Sequence, residues 1–133
     1  MAAKPTPLEH MPVAGLAVAG IVKVTSLLVN HPGPLPITKA FGSSGGNLLV
    51  FVSGSLWTSH QPKLLVMSIA LDGNKIGTCQ EWSNVNASHE ALVPVLLTVH
   101  NPPAGNHVIE LTVASGDNSD VNDYYNVTVV EFK

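Results

Sequence analysis

The side chains best suited to chemistry begin with two indoles. Trp57 and Trp82 are the only tryptophans, and each lies in a polar stretch. Ser55, Thr58, Ser59, His60 and Gln61 surround the first; Gln80, Glu81, Ser83 and Asn84 surround the second. An exposed indole stacks on the C–H face of a sugar ring, and nearby amides, hydroxyls and carboxylates then fix the sugar's orientation. On that chemistry Trp57, His60, Glu81, Trp82 and Asn84 are the candidate ligand-binding residues. The competing reading is that each indole plugs an end of the domain or packs at a subunit contact.

The second group is the run Asp117-Asn118-Ser119-Asp120-Val121-Asn122-Asp123. It concentrates hard oxygen donors of the kind calcium takes from a single short loop, with Asp117, Asp120 and Asp123 as the carboxylate ligands. It lacks the glycine and the terminal glutamate of an EF-hand, and Asp and Asn also favour plain solvated turns. Calcium is therefore the one cofactor the sequence suggests. The six histidines, His10, His31, His60, His89, His100 and His107, form no HExxH motif. His100 and His107 flank a turn, and His107 falls in a core-facing register where a hydrogen-bonded packing role is expected.

Motifs for catalysis are missing. No Gly-x-Ser-x-Gly surrounds Ser53-Gly54-Ser55, and Gly42 to Gly46 lacks the Lys-Ser/Thr of a phosphate loop. Cys79 is the lone cysteine, which precludes an intrachain disulfide and a cysteine-pair zinc site. Nothing around it marks a nucleophile. The expectation is a protein that is not an enzyme.

Composition narrows the partners. Only 11% of the 133 residues are charged, against roughly 25% in a typical soluble domain, and the net charge is −3. The six basic residues are scattered, so neither a nucleic-acid footprint nor a polybasic membrane anchor is present. No apolar run reaches the roughly 18 residues of a membrane span. Met11 to Val22 comes nearest, but Pro5, Pro7, Glu9 and Pro12 precede or interrupt it and Lys4 is its only basic flank, which does not suit a signal peptide. A cytoplasmic location is the default expectation, with later release or particle association as the alternative.

These residues must be positioned by strands. Ten prolines and eleven glycines punctuate short runs of Val, Ile, Leu and Thr, the spacing of an all-β sandwich or barrel. The pattern predicts one domain over residues 1–133, with an extended arm over about residues 1–19. Strands are expected over residues 20–29, 37–41, 47–55, 64–71, 75–80, 89–99, 106–114 and 124–132. Asn30-His31-Pro32-Gly33-Pro34 should stop the first. Gly42 to Gly46 should be a flexible loop, Asp72-Gly73-Asn74 a tight hairpin turn, and residues 82–88 and 115–123 polar loops. Pro94 argues for strand over helix in the 89–99 run.

Two strands look apolar on both faces. Leu48, Val50 and Val52 oppose Leu49 and Phe51; Leu65, Met67, Ile69 and Leu71 oppose Leu64, Val66 and Ala70. A two-layer sandwich gives each strand one core face. The second apolar face and the charge-poor composition point to burial between subunits.

Leu71-Asp72-Gly73, Asn86-Ala87-Ser88-His89, Pro103 to Leu111 and Val127-Thr128-Val129-Val130-Glu131-Phe132 together resemble the ends of small bacterial and phage jelly-roll modules of the tumour-necrosis-factor and C1q-like type. The resemblance covers roughly the last sixty residues. It implies a two-sheet antiparallel jelly roll assembled as a homotrimer that recognises sugars, receptors or host surfaces, and it transfers no ligand motif. The leading expectation is an oligomeric carbohydrate-binding, lectin-like module. The alternatives are a structural or assembly protein, such as a fibre-tip or capsid-type module, and a cupin-like metalloenzyme that would need converging histidines.

Overall fold

Alternating apolar residues between glycine and proline turns give nine strands and, among the described residues, no helix. The structure is a computed structural model that describes residues 20–60 and 62–133; the arm expected over residues 1–19 lies outside them. The strands are β1 (Ile21–Pro32), β2 (Ile37–Ser43), β3 (Asn47–Leu56), β4 (Lys63–Leu71), β5 (Asn74–Ser83), β6 (Glu90–Ala91), β7 (Val95–Val99), β8 (Gly105–Val113) and β9 (Tyr124–Phe132).

All pairings are antiparallel. One sheet runs β1-β9-β3, with β6 and β7 in succession along the far side of β3; the other runs β2-β8-β4-β5. Sequential strands alternate between the sheets except at the β4–β5 hairpin and at β6–β7, which both border β3; this is the interleaved order of a jelly roll. The inward rows meet in one core. Leu48, Val50, Val52, Val127 and Val129 from the first sheet face Leu65, Met67, Ile69, Ile109 and Leu111 from the second.

Three strands depart from the sequence expectation. β1 continues through Asn30-His31-Pro32, because a bulge between Leu28 and His31 lets the ladder resume at His31↔Tyr125 and Pro32↔Tyr124. Asn30 takes φ 45° there and its N–H donates to Asn126 Oδ1 (2.8 Å). Pro32 is tolerated because, among the described residues, β1 pairs only with β9 and lies at the sheet edge. β5 runs three residues past Gln80, so Trp82 stands on a strand and not in a loop. The single strand expected over 89–99 is two, broken at Leu92-Val93-Pro94. The Leu92 N–H donates to Gly54 O (2.9 Å) in one sheet and the Val93 N–H to Gln80 O (3.0 Å) in the other, so this segment laces the two sheets along one edge.

A buried and an exposed carboxylate hold the turns at one end. Glu131, 4% exposed, accepts from Ser43 Oγ (2.6 Å), Ser44 N (2.7 Å) and Ser44 Oγ (2.5 Å), which clamps the Gly42–Gly46 segment that composition alone reads as flexible. The Ser43 and Ser44 hydroxyls and the Ser44 amide bring its pKa down to about 2. Asp72, in the β4–β5 turn, reaches β8. Its Oδ1 accepts from Val108 N (2.8 Å) and its Oδ2 lies 2.6 Å from His107 Nδ1. His107 Nε2 lies 2.7 Å from Pro103 O. Both ring nitrogens of the buried His107 thus face acceptors, which requires the doubly protonated imidazolium. The expected packing role of His107 is realised as a charged latch, while His100 is exposed.

Asp72 raises the His107 pKa, and His107 followed by the Val108 amide lowers that of Asp72. The histidine's contribution to stability is complete below its unfolded value near 6.5 and is lost as pH rises through the elevated folded value. The aspartate's contribution is complete above about 3.8 and is lost as pH falls through the depressed folded value. The melting temperature of the protein should therefore fall as pH is raised above about 6.5, and Asp72→Asn should flatten that decline. Calorimetric scans from pH 5 to 9 on both proteins check this; parallel pH profiles would count against the latch.

Candidate functional site

The strand order gathers the β1–β2, β3–β4, β5–β6 and β8–β9 connections at one end of the sandwich, and backbone hydrogen bonds tie them together. Gly33 N donates to Asp123 O (3.1 Å), Ala87 N to Thr58 O (2.8 Å), and Trp57 exchanges two bonds with Asn118 (3.0 and 2.8 Å). Gly33 has no room for a side chain, since a Cβ there would collide with the Asp120 carbonyl.

At this end the Asp117–Asp123 loop divides its carboxylates. Asp117 is turned inward with its side chain fully buried. Its Oδ1 pairs with Lys63 Nζ (2.6 Å) and its Oδ2 accepts from Val66 N (2.8 Å). Both oxygens are thereby committed to β4. Asp120 and Asp123 turn instead toward His89. Asp123, also fully buried at its side chain, accepts from Ser55 Oγ (2.6 Å) and His89 Nδ1 (2.8 Å) on Oδ1 and from Asp120 N (2.8 Å) on Oδ2. Asp120 Oδ1 accepts from Asn122 N (2.8 Å), and its Oδ2 lies 3.5 Å from His89 Nε2. The structure thus brings together two of the three carboxylates expected to bind calcium, adds a histidine, and leaves Asp117 outside the group.

Trp57 packs beside this cluster. Its ring centroid lies 6.0 Å from that of His89, and its buried Nε1–H has no hydrogen-bond partner among the described residues. His60 is exposed; its backbone bonds the Thr58 hydroxyl and its ring Nδ1 lies 3.1 Å from Ser59 Oγ. The other three expected ligand-binding residues lie together on β5 and its continuation. Trp82 is 52% exposed. Its indole Nε1–H donates to Asn84 Oδ1 (3.0 Å) and its backbone N–H to Glu81 Oε1 (3.1 Å). The ring stands opposite Leu64 on β4 and borders an open groove of about 440 Å³ lined by Thr78, Gln80, Glu81 and the Val93-Pro94-Val95 segment.

The outer face that Trp82 belongs to is polar. Paired rows run away from it: Val66 with Gln80, then Thr112 with Ser68 and Thr78, then Thr38 and Glu110 with Ala70 and Lys75. Successive rows lie about 6.8 Å apart along the strands. The outer face of the opposite sheet carries no charge in its two central rows, Val24-Val130-Leu49-Thr98 and Ser26-Thr128-Phe51-Leu96. Phe51 and Leu96 are 45% and 52% exposed there, beside a second groove of about 380 Å³. Cys79, by contrast, is buried, and burial pushes its thiol up to about 11, which keeps it unreactive.

No protein-family model matches the chain, and no curated protein matches it. Solved structures similar to it include three sugar-binding domains. A family 35 carbohydrate-binding module from Clostridium thermocellum shares 14% identity over 84% of this chain and 90% of that one, with a TM-score of 0.40. The carbohydrate-binding module CBM36 in complex with calcium and xylotriose shares 17% identity over 90% and 91%, with a TM-score of 0.39. The C-terminal domain of EclA, a sugar-binding protein, shares 14% identity over 98% and 89%, with a TM-score of 0.43. Likeness at this level transfers no residue and no ligand. The interleaved strand order bears out the jelly roll expected from the sequence, and no observation here identifies the tumour-necrosis-factor or C1q type.

Two parts of the site were not visible in the sequence. His89 is brought to Asp123 across 34 residues, and no local motif announces the pairing. Thr78 and Gln80 would have joined Trp82 by period-two alternation, and Leu64 by pairing across the hairpin, had β5 been extended past Gln80. The division of the acidic loop predicts unequal costs. Asp117→Asn should destabilise the fold by about 2–3 kcal/mol, because it weakens the Lys63 pair and a buried amide's acceptor, whereas Asp120→Asn on its half-exposed side chain should cost under about 1 kcal/mol. Urea unfolding of both variants measures this, and equal costs would contradict the assignment.

Proposed function

We propose that this chain is a non-catalytic carbohydrate-binding module whose sugar site is the Trp82 groove. The observation that carries the reading is the half-exposed Trp82 indole, locked by Asn84 at the end of a polar sheet face. A sugar ring needs one flat apolar surface and several hydroxyl partners around it. Trp82 and Leu64 supply the first; Gln80, Thr78, Glu81 and Ser68 supply the second. Because Asn84 fixes the indole before binding, little side-chain entropy is lost when a sugar stacks on it. Trp57 and His60 are left to the loop end, where Trp57 packs on His89. The support for this reading is the groove itself.

The partner proposed for the opposite face is a second and third copy of the chain. The two charge-free rows of the β1-β9-β3-β7 face cover roughly 260 Å² per copy, taking four strands about 4.8 Å apart and about 14 Å along them. They would form the centre of a contact that neighbouring rows must extend to reach the roughly 1,000 Å² that specific interfaces exceed. A homotrimer would leave the Trp82 faces outward and multiply weak single sites into avidity.

Glycan-array binding by the labelled protein should be selective and should vanish in Trp82→Ala, with Trp57→Ala retaining it. Equal binding by the Trp82 variant and the parent would remove the site from Trp82. Running the array in calcium and again in EDTA asks separately whether the Asp117–Asp123 loop takes part. In light scattering the parent should have three times the chain mass. Phe51→Asp should reduce it to one and weaken binding to a dense glycan surface by roughly 10²-fold or more through lost avidity. A monomeric parent would overturn the assembly and leave the groove untouched.

A further inference from the structure

The cluster of His89, Asp120 and Asp123 has the organisation of a metal-binding unit, and it is separate from the Trp82 groove. We propose that His89 Nε2 and Asp120 Oδ2 ligate a borderline divalent ion of the zinc type, with Asp123 holding the imidazole in place. The carboxylate of Asp123 can only accept, so the 2.8 Å contact keeps a proton on His89 Nδ1 and leaves Nε2, turned toward Asp120, as the nitrogen that an ion would take in place of a proton. Metal-binding histidines are oriented in this way, by a carboxylate on the other ring nitrogen. Asp123 is itself immobilised, with its side chain fully buried and donors from Ser55 Oγ and Asp120 N upon it.

The outward atoms have suitable spacing. Two donors each about 2.0–2.1 Å from a tetrahedral ion stand about 3.3–3.4 Å apart. His89 Nε2 and Asp120 Oδ2 are 3.5 Å apart, on side chains that are 32% and 38% exposed and so accessible to an ion. Beside His89 the buried Trp57 Nε1–H has no hydrogen-bond partner among the described residues.

Donor chemistry selects the ion. An imidazole nitrogen beside one free carboxylate oxygen suits zinc and its neighbours. Calcium takes six to eight oxygens. Here Asp117 is committed to Lys63 and Val66, and three of the four oxygens of Asp120 and Asp123 already accept from the protein, leaving Asp120 Oδ2. An ion at this point would join the β5–β6 and β8–β9 loops.

The test is titration calorimetry of the untagged protein with zinc chloride, together with thermal melts. One ion per chain should bind with a micromolar dissociation constant. At a hundredfold excess over that constant the melting temperature should rise by roughly 5–10 °C. His89→Ala and Asp120→Asn should each weaken binding at least tenfold, and zinc should no longer raise the melting temperature of either variant above its own value in EDTA. Absence of zinc binding, unchanged affinity in both variants, or an equal shift with calcium would each overturn the proposal. None of these outcomes depends on whether the Trp82 groove binds sugar.

Discussion

Four hydrogen-bonded carboxylates, three of them buried, pin this fold where another small domain would use covalent crosslinks. The chain has one cysteine and nine acidic residues. Four of those acids, Asp72, Asp117, Asp123 and Glu131, tie a turn or loop to a strand distant in sequence. Each accepts from at least one backbone amide or hydroxyl, so the charge is balanced by fixed donors as well as by any cation nearby. The arrangement makes the ends of the sandwich specific. A carboxylate with its donors missing would be costly to bury, and the loops therefore have few alternative positions in which the core stays intact.

That pinning leaves the two outer faces free to differ. A sandwich has one shared core and two surfaces, and nothing in the core dictates what the surfaces carry. Here the β2-β8-β4-β5 face bears Thr, Ser, Gln, Glu and Lys around an exposed tryptophan, while the central rows of the β1-β9-β3-β7 face bear none of the chain's charges. The low overall charge is thus unevenly spread. Phe51 and Leu96 stand side by side in the uncharged face, where an isolated surface gains nothing from them. On the other face a lone indole surrounded by hydrogen-bonding side chains has a recognisable use. Recognition on one face and association on the other are compatible because the whole thickness of the sandwich separates them.

The sequence carried much of this and missed the rest for reasons that can be named. β8 and β9 were legible because their alternation is strict and turns bound them on both sides: His107, Ile109 and Leu111 inward, then Tyr125, Val127 and Val129 inward. The β4–β5 hairpin was legible from Asp72-Gly73, where both residues take positive φ (50° and 81°). β1 and β5 were cut short because polar residues and proline end strands on average, yet an edge strand with a bulge tolerates Pro32, and an outward polar face lets Gln80 to Ser83 stay in the ladder. The break at Pro94 went unseen because Leu92 and Val93 look like strand residues; only the packing of two sheets reveals that their amides serve different sheets.

The acidic loop shows the same limit at the level of single residues. Composition treats Asp117, Asp120 and Asp123 alike, as oxygen donors on one loop. The fold gives each a different task, because Lys63 comes within 2.6 Å of the first and His89 lies between the other two. Neither neighbour is local in sequence. What a carboxylate does is decided by whether its oxygens are already spent on donors from elsewhere in the chain, and loop composition does not record that. By this criterion Asp117 and Asp123 are parts of the scaffold, and Asp120 Oδ2 is the oxygen of the loop that remains open to a ligand.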